Sequence, residues 1–389
     1  VGLPVVPGSS VGVVANPMSG RDIRRLVAQA SVFPNAEKTN MALRLVAAAG
    51  ATGVDRVLMS TDGMGVAAGV LRARDKRRPG AVRWPDLEFV ELDAISGTAE
   101  DTRELVRGMV AAGASVIVLL GGDGTVRAAA AASGDVALLP LSTGTNNAFP
   151  EMWEATVAGT AAGLVATGRV PVADASYRAK ALHVVARGTH ELALVDVCVS
   201  TVPHVGSRAL WDPATLHELY CAFAEPHAIG LSSIAGLLHP VARTAPGGVV
   251  VRLSGHARRT VLAPIAPGVV APVGVRHAGP LAPGEPHEVD LARGTVAVDG
   301  EREIEFGPSA PVTVTLARDG PRVLDVRTVL AAAAERRILQ EKAEGAVDDR
   351  NPSDPHVPGT HARPAVAGLP RDAHDPRLRG AGARGVRER

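Results

Sequence analysis

Residues Ser115 to Thr125 read SVIVLLGGDGT, an apolar run that ends in a Gly-Gly-Asp-Gly-Thr turn. Apolar residues at every position from Val116 to Leu120 predict a strand buried on both faces, the pattern of a parallel sheet. The glycines allow a sharp turn and let backbone N–H groups approach an anion without a Cβ in the way. A helical pattern follows from Val126, so the turn opens onto a helix N-terminus with its unpaired N–H donors. Phosphate is the ligand that suits such a turn, with Gly121, Gly122, Gly124 and Thr125 around it. Asp123 stands inside it, and a carboxylate beside phosphate is repulsive unless it holds a metal or takes a proton. Asp123 is therefore read either as a Mg²⁺ ligand or as the general base on an acceptor hydroxyl.

Outward from this turn, β-type runs alternate with helical ones between Val11 and about Trp153. The expected strands are Val11–Ala15, Arg56–Ser60, Leu87–Leu92, Ser115–Leu120 and Val136–Leu139. Helical patterns fall at Glu37–Ala49, Gly65–Arg72, Thr98–Ala112 and Val126–Ala132, the third opening on Thr98 and Asp101 at capping-box spacing. Alternation of this kind predicts an α/β domain over residues 1–153 with a doubly wound, largely parallel sheet. Ligands of such sheets bind where the strands end.

Two more strand ends carry polar, glycine-bearing loops. Val11–Ala15 runs into Asn16-Pro17-Met18-Ser19-Gly20. Val136–Leu139 is followed by Ser142-Thr143-Gly144-Thr145-Asn146-Asn147. Hydroxyls and amides there suit phosphate oxygens or ribose, and Gly144 allows close approach. Three such loops after three parallel strands predict one shared nucleotide edge.

The texture changes after about Gly168. Short β-rich runs appear at Ala181–Ala186, Leu192–Ser200, Val249–Leu253, Thr295–Val298 and Val312–Ala317, punctuated by Gly and Pro. They predict a β-rich second domain over residues 154–345, an antiparallel sandwich. One helix is expected at about Ser207–Phe223, and an alanine-rich one returns over Val326–Glu344. Residues 346–389 are rich in Pro, Gly, Arg and Asp and nearly lack large apolar side chains, so they read as a disordered tail.

Composition narrows the function. The chain has 389 residues and a net charge of +1, with aromatics at 3%. Neither a basic footprint nor a base-stacking platform for nucleic acid is expected. No apolar run reaches the length of a spanning helix, no signal peptide is read at Val1–Ser10, and a cytoplasmic location is the expectation. Cys198 and Cys221 read as small apolar core residues. The histidines lack metal-ligand spacing, and Ser142 and Ser232 lack a serine-hydrolase setting.

The set Asn-Pro-x-Ser-Gly, Gly-Gly-Asp-Gly-Thr and Gly-Thr-Asn-Asn resembles the superfamily of NAD kinases and diacylglycerol or sphingosine kinases. Within it the chain resembles the ATP-NAD kinase family, in the branch of the acetoin-catabolism protein X. ANPMSGRDIRRLV at Ala15–Val27, PLSTGTNNAFP at Pro140–Pro150 and GLSSIAG at Gly230–Gly236 carry that likeness, which spans roughly Val11 to Leu330. It implies ATP with Mg²⁺ as donor and an alcohol as acceptor. Asn16, Ser19 and Gly20 would contact the nucleotide, Gly121 to Thr125 would line the triphosphate, and Thr145 and Asn146 would bind nucleotide as well. Asp299-Gly300-Glu301 matches the late Asp-Gly-Glu of the lipid-kinase branch, which reaches back towards ATP; this gives Glu301 a nucleotide role and Asp299 a Mg²⁺ role. The same Asp-Gly pair is also a favoured two-residue hairpin turn.

On the acceptor side the likeness thins. The Asn-acidic pair with which NAD kinases grip the dinucleotide has Val195-Asp196 as its nearest equivalent. Their Gly-Ser-Thr-Ala-Tyr segment is matched only loosely around Ser232 and Ser233, without the Tyr. Asn147, Asp196, Ser232 and Ser233 are the acceptor-binding candidates. NAD phosphorylated on its adenosine 2′-hydroxyl is the acceptor the resemblance favours. A kinase for a lipid or small polyol and a non-catalytic nucleotide sensor are the alternatives, and assembly as a homo-oligomer is implied.

Overall fold

A computed structural model describes residues 2–19, 33–76, 83–186, 188–205, 210 and 212–340, with the backbone alone at Arg302. Gly20, the arginines that follow it and the expected tail at 346–389 lie outside the described residues.

In the first half the elements run β1 (Val6–Ala15), α1 (Asn35–Ala51), β2 (Val54–Ser60), α2 (Val66–Asp75) and β3 (Asp86–Val90). They continue as α3 (Ala99–Ala111), β4 (Val116–Gly121), α4 (Asp123–Ala130), β5 (Ala137–Ser142) and α5 (Ala155–Ala166). The second half carries β6 (Ser176–Arg178), β7 (Ala181–Ala186), β8 (Thr189–Ala193), β9 (Asp196–Ser200), β10 (Leu216–Cys221) and α6 (Ser232–Leu238). Then come β11 (Gly248–Leu253), β12 (Arg259–Ala266), β13 (Val269–Leu281), β14 (Pro286–Glu288), β15 (Gly294–Val298), β16 (Glu301–Phe306), β17 (Thr313–Ala317), β18 (Arg322–Leu324) and α7 (Val326–Glu335).

The first sheet has the order β3-β2-β1-β4-β5-β18-β6 and is parallel from β3 through β18. Its burial explains the unbroken apolar run of β4. Ile117 and Leu119 enter one core while Val116, Val118 and Leu120 enter the other. One of these cores is closed by α1, α5 and α7, through Leu45, Leu164 and Val329.

The remaining strands form two antiparallel sheets, β12-β13-β11-β10-β9-β15-β16 and β14-β17-β7-β8. Val197, Val199, Val296 and Val298 of the larger meet Leu182, Val184, Val314 and Leu316 of the smaller in a shared core, the sandwich expected from the turn-punctuated sequence. That core runs on without a break to Ile117, Leu119 and Met109 under the first sheet.

Three expectations are corrected. The helix expected at Ser207–Phe223 is, over Leu216–Cys221, the strand β10, paired with both β9 and β11. Pairing with an antiparallel neighbour on each side outweighs the helix propensity of Leu-His-Glu-Leu. The strand expected over Leu192–Ser200 is broken at Leu194 and Val195. Their backbone N–H groups turn to the Asp299 carboxylate (3.0 and 2.8 Å) rather than to a neighbouring strand. The C-terminal helix ends at Glu335.

Among the described residues no helix is long and apolar enough to cross a membrane. Cys198 and Cys221 are buried free thiols, and burial pushes both well above the ordinary thiol range.

Candidate functional site

β1, β4 and β5 are neighbours, with Ala15 opposite Leu120 and Gly121 opposite Ser142. The loops leaving them are bonded to one another. Asn16 Nδ2 donates to Thr125 Oγ1 at 2.9 Å, the Ser19 and Thr143 hydroxyls meet at 2.8 Å, and Thr143 N–H donates to Gly121 O at 3.2 Å. Asn147 Nδ2 donates to Ser142 Oγ (2.9 Å), which in turn donates to Gly144 O (3.0 Å).

The glycines are required by approach. A Cβ on Gly121 would lie 2.5 Å from Thr125 Cβ, and one on Gly122 would lie 2.6 Å from Asn147 Oδ1. The space that Gly124 leaves is open. Together with the N-terminus of α4 this makes a cradle of backbone facing outward.

Lys38, in the first turns of α1, is fully buried beneath the first loop. Its ammonium donates to Asn16 O (2.9 Å), Pro17 O (3.3 Å), Ser19 O (2.8 Å) and Asn35 Oδ1 (3.2 Å). It fixes the course of the Asn16–Ser19 turn. Nothing in the sequence marks it, because one lysine on an amphipathic helix reads as a solvated side chain.

Asp123 lines the cleft, and its carboxylate also accepts Phe149 N–H at 2.8 Å and Ala148 N–H at 3.1 and 3.2 Å. It thus ties the glycine turn to the far end of the third loop.

The loops open into a cleft of about 1290 Å³, enough for a nucleotide and a second small molecule. Asn16, Ser19, Gly122, Asp123, Gly124, Thr125, Gly144, Thr145, Asn146 and Asn147 line it; Gly121 and Thr143 are buried just beneath. Another part of its lining is acidic, with Glu301, Glu303 and Glu305 at alternate positions of β16 and Glu191 on β8. That period-two spacing was visible in the sequence.

Arg127 is the only Lys or Arg on this lining among the described residues, and it is already engaged. It donates to Glu303 (3.2 Å at one pair of atoms), and its Nε stands 3.9 Å from Asp299 Oδ2. Burial works against its charge, but Glu303 and Asp299 more than offset this and hold the guanidinium above its usual value.

Asp299 and Gly300 both have positive φ (50° and 80°), a two-residue hairpin turn between β15 and β16 with Val298 paired to Glu301. The Asp299 side chain is 1% exposed and accepts the N–H groups of Leu194, Val195 and Asp196. Its carboxyl is pushed up to about 6: burial is the main cause and Asp123 adds to it, against Arg127 and the backbone donors. Asp299 is nonetheless on the lining of the cleft, beside Arg127 and Glu301, with its carboxylate engaged by these backbone donors. Asp196, Ser232 and Ser233 are buried away from the cleft; the Ser233 hydroxyl donates to Gly230 O at 2.6 Å. Of the four acceptor candidates only Asn147 lies on the lining.

The residues present fit a metal–nucleotide complex. The glycine cradle supplies room and N–H donors, and among the described residues Glu191 and Glu301 are lining carboxylates without a hydrogen bond or ion pair of their own. Glu301, next to the Asp299-Gly300 turn, is the carboxylate that would complete the shell of a phosphate-bound Mg²⁺.

Comparison with known proteins agrees with this division. Residues 11–170 match the ATP-NAD kinase N-terminal domain, and residues 180–319 match the acetoin catabolism protein X C-terminal domain. Acetoin catabolism protein X of Cupriavidus necator is 42% identical over 337 residues, covering 85% of this chain and 94% of that protein. The chain belongs to the acetoin catabolism protein X family, and the half that carries its glycine-rich turn is a domain of the ATP-NAD kinase type.

Proposed function

We propose that the protein is an ATP-dependent phosphotransferase whose acceptor is a hydroxyl of a small, uncharged polyol. The observation that carries this reading is the contrast between two parts of the cleft. Three interlocked, glycine-bearing loops line one part of it, and four glutamates with, among the described residues, one engaged arginine line another.

Gly122, Gly124 and the α4 N-terminus hold the phosphates through backbone N–H groups. Asp123 faces the transferred group from inside the turn, where it orients the acceptor or takes its proton. A divalent cation bound with ATP neutralises the charge that the acidic wall would otherwise repel. With Glu301 on the cation, Glu191 offers acceptor oxygens to hydroxyl donors, which suits a polyol and repels a second anionic ligand. The family name of the Cupriavidus relative refers to catabolism of acetoin, a small hydroxylated compound, and is in keeping with such an acceptor.

NAD is the second reading, favoured by the match of residues 11–170. That match ends before the acidic wall, most of which lies in the part matched by the other domain model. The test is ADP release and product analysis with Mg-ATP and, separately, glycerol, a four-carbon polyol, NAD and a diacylglycerol. Turnover with a neutral polyol is expected. NADP as the main product would replace this reading with the second, and ATP binding without turnover on any acceptor would leave only a sensor.

A further inference from the structure

Asp123 does not hold the third loop alone. Arg243, in the segment between α6 and β11, donates from Nη2 to Ala148 O at 2.6 Å and from Nη1 to Phe149 O at 2.7 Å. The peptide unit joining Ala148 to Phe149 is therefore gripped from both sides. Its carbonyl accepts from the guanidinium, and its N–H donates to Asp123 Oδ1 at 2.8 Å. We propose that Arg243 is a positioning residue for the candidate catalytic carboxylate, acting on Asp123 through the Ala148–Phe149 peptide. The role in turnover rests on the phosphotransferase reading; the mechanical link to Asp123 does not.

Three observations support the assignment. The Arg243 side chain is 15% exposed and does not line the cleft, so it is not itself a ligand for nucleotide. It is fixed in place: Nε donates to both Glu225 carboxylate oxygens at 3.2 Å, and its guanidinium carbon lies 4.3 Å from the centre of the Phe223 ring. Its planar fork sets Nη1 and Nη2 on two successive carbonyls while Nε stays on Glu225, a spacing of three separate nitrogens that a single ammonium nitrogen does not reproduce. A charged donor at one end of a peptide and a charged acceptor at the other polarise it in the same sense, so each bond strengthens the other. The result is a line of contacts, Glu225 to Arg243 to the peptide to Asp123. It runs from the β-rich half of the chain into the glycine turn, so the donor loop is set partly by residues from the acceptor half.

The test uses the full chain as wild type, Arg243→Lys, Asp123→Asn and the double variant, with hydrogen exchange followed at the Phe149 amide. Each single change should speed exchange by about 10-fold, and the double variant should exchange no faster than the faster single one. Rates that multiply in the double variant, or an Arg243→Lys protein that exchanges like wild type, would overturn the link. Glu225→Gln, which leaves Arg243 in place but loosens it, should give a smaller acceleration and serves if Arg243→Lys does not fold. With Mg-ATP and a working acceptor, Arg243→Lys should lower kcat by roughly 10- to 100-fold, as loss of a supporting partner does, with KM for ATP little changed. Unchanged kcat would mean that Arg243 only stabilises the fold. If wild type shows no turnover, the phosphotransferase reading fails, while the exchange experiment still decides the link.

Discussion

Lys38 puts a full positive charge under the Asn16–Ser19 turn with three backbone carbonyls and one amide oxygen around it. Replacing it by Met would keep the volume and take the ammonium from half-buried Pro17 O, Ser19 O and Asn35 Oδ1, while Asn16 O would keep only Ser19 as donor. A loss of roughly 3 kcal/mol is expected in chemical denaturation, together with weaker nucleotide binding because the first loop loses its floor. A Lys38→Met protein as stable as wild type would show that the ammonium is not what shapes the turn. At this scale the sequence was legible where residue type alone implies chemistry. Asp123 among glycines is such a case, and so is Asp299-Gly300 as a hairpin turn. It was silent about partners. The amides of Ala148 and Phe149 and the guanidinium of Arg243 reach Asp123 only through the tertiary fold. The sequence was equally silent about the three backbone donors at Leu194–Asp196 that the Asp299 carboxylate accepts.

The join between β4 and α4 depends on what is missing from it. A methyl group on Gly121 would overlap Thr125, the residue whose hydroxyl receives Asn16. Gly121→Ala should cost about 1–3 kcal/mol by overpacking and should separate the first and second loops. Thermal unfolding of Gly121→Ala beside wild type checks this: a lowered midpoint is expected, and an unchanged one would show that the turn has room for the methyl. At the level of elements, the parallel strands and their helices were readable because β4 is an unbroken apolar run from Val116 to Leu120, while α3 follows Thr98 with a capped first turn. The Thr98 hydroxyl accepts Glu100 N–H, and Asp101 reaches past it to the N–H groups of Ser96 and Gly97. β10 was not readable. Its six residues carry a buried Glu218 bonded to the Tyr220 hydroxyl, and only pairing with β9 and β11 makes that segment a strand.

Across the molecule the cleft joins a nucleotide-type edge to an acidic wall, and its charge should register in stability. Asp299 titrates at about 6 in the folded protein, chiefly because it is buried, against about 4 for an ordinary Asp. The folded state thus holds the proton more tightly than the unfolded state does. Its contribution is complete below pH ~4 and is lost as pH rises through ~6, up to roughly 3 kcal/mol. Asp299→Asn keeps a residue that tolerates positive φ and removes the titration. The stability of wild type relative to this variant should therefore rise as pH falls from 7 to 4; a flat difference would mean that the carboxyl is not perturbed. The division into an α/β part and an antiparallel part was legible from the change of texture near Gly168. The acidity of the cleft was not, since Glu191 and the β16 glutamates are more than a hundred residues apart and the net charge of the whole chain is only +1.

The claim that the three interlocked loops are where a nucleoside triphosphate sits is tested most directly by calorimetric titration of Mg-ATP into the full chain, wild type beside Gly122→Ala. The substituted methyl would meet Asn147 Oδ1 at 2.6 Å and close the cradle without touching the acidic wall. Wild type should bind one Mg-ATP, binding should vanish when the divalent cation is chelated, and Gly122→Ala should bind at least about 10-fold more weakly. Equal affinity in the two proteins, or no binding by wild type, would contradict the account.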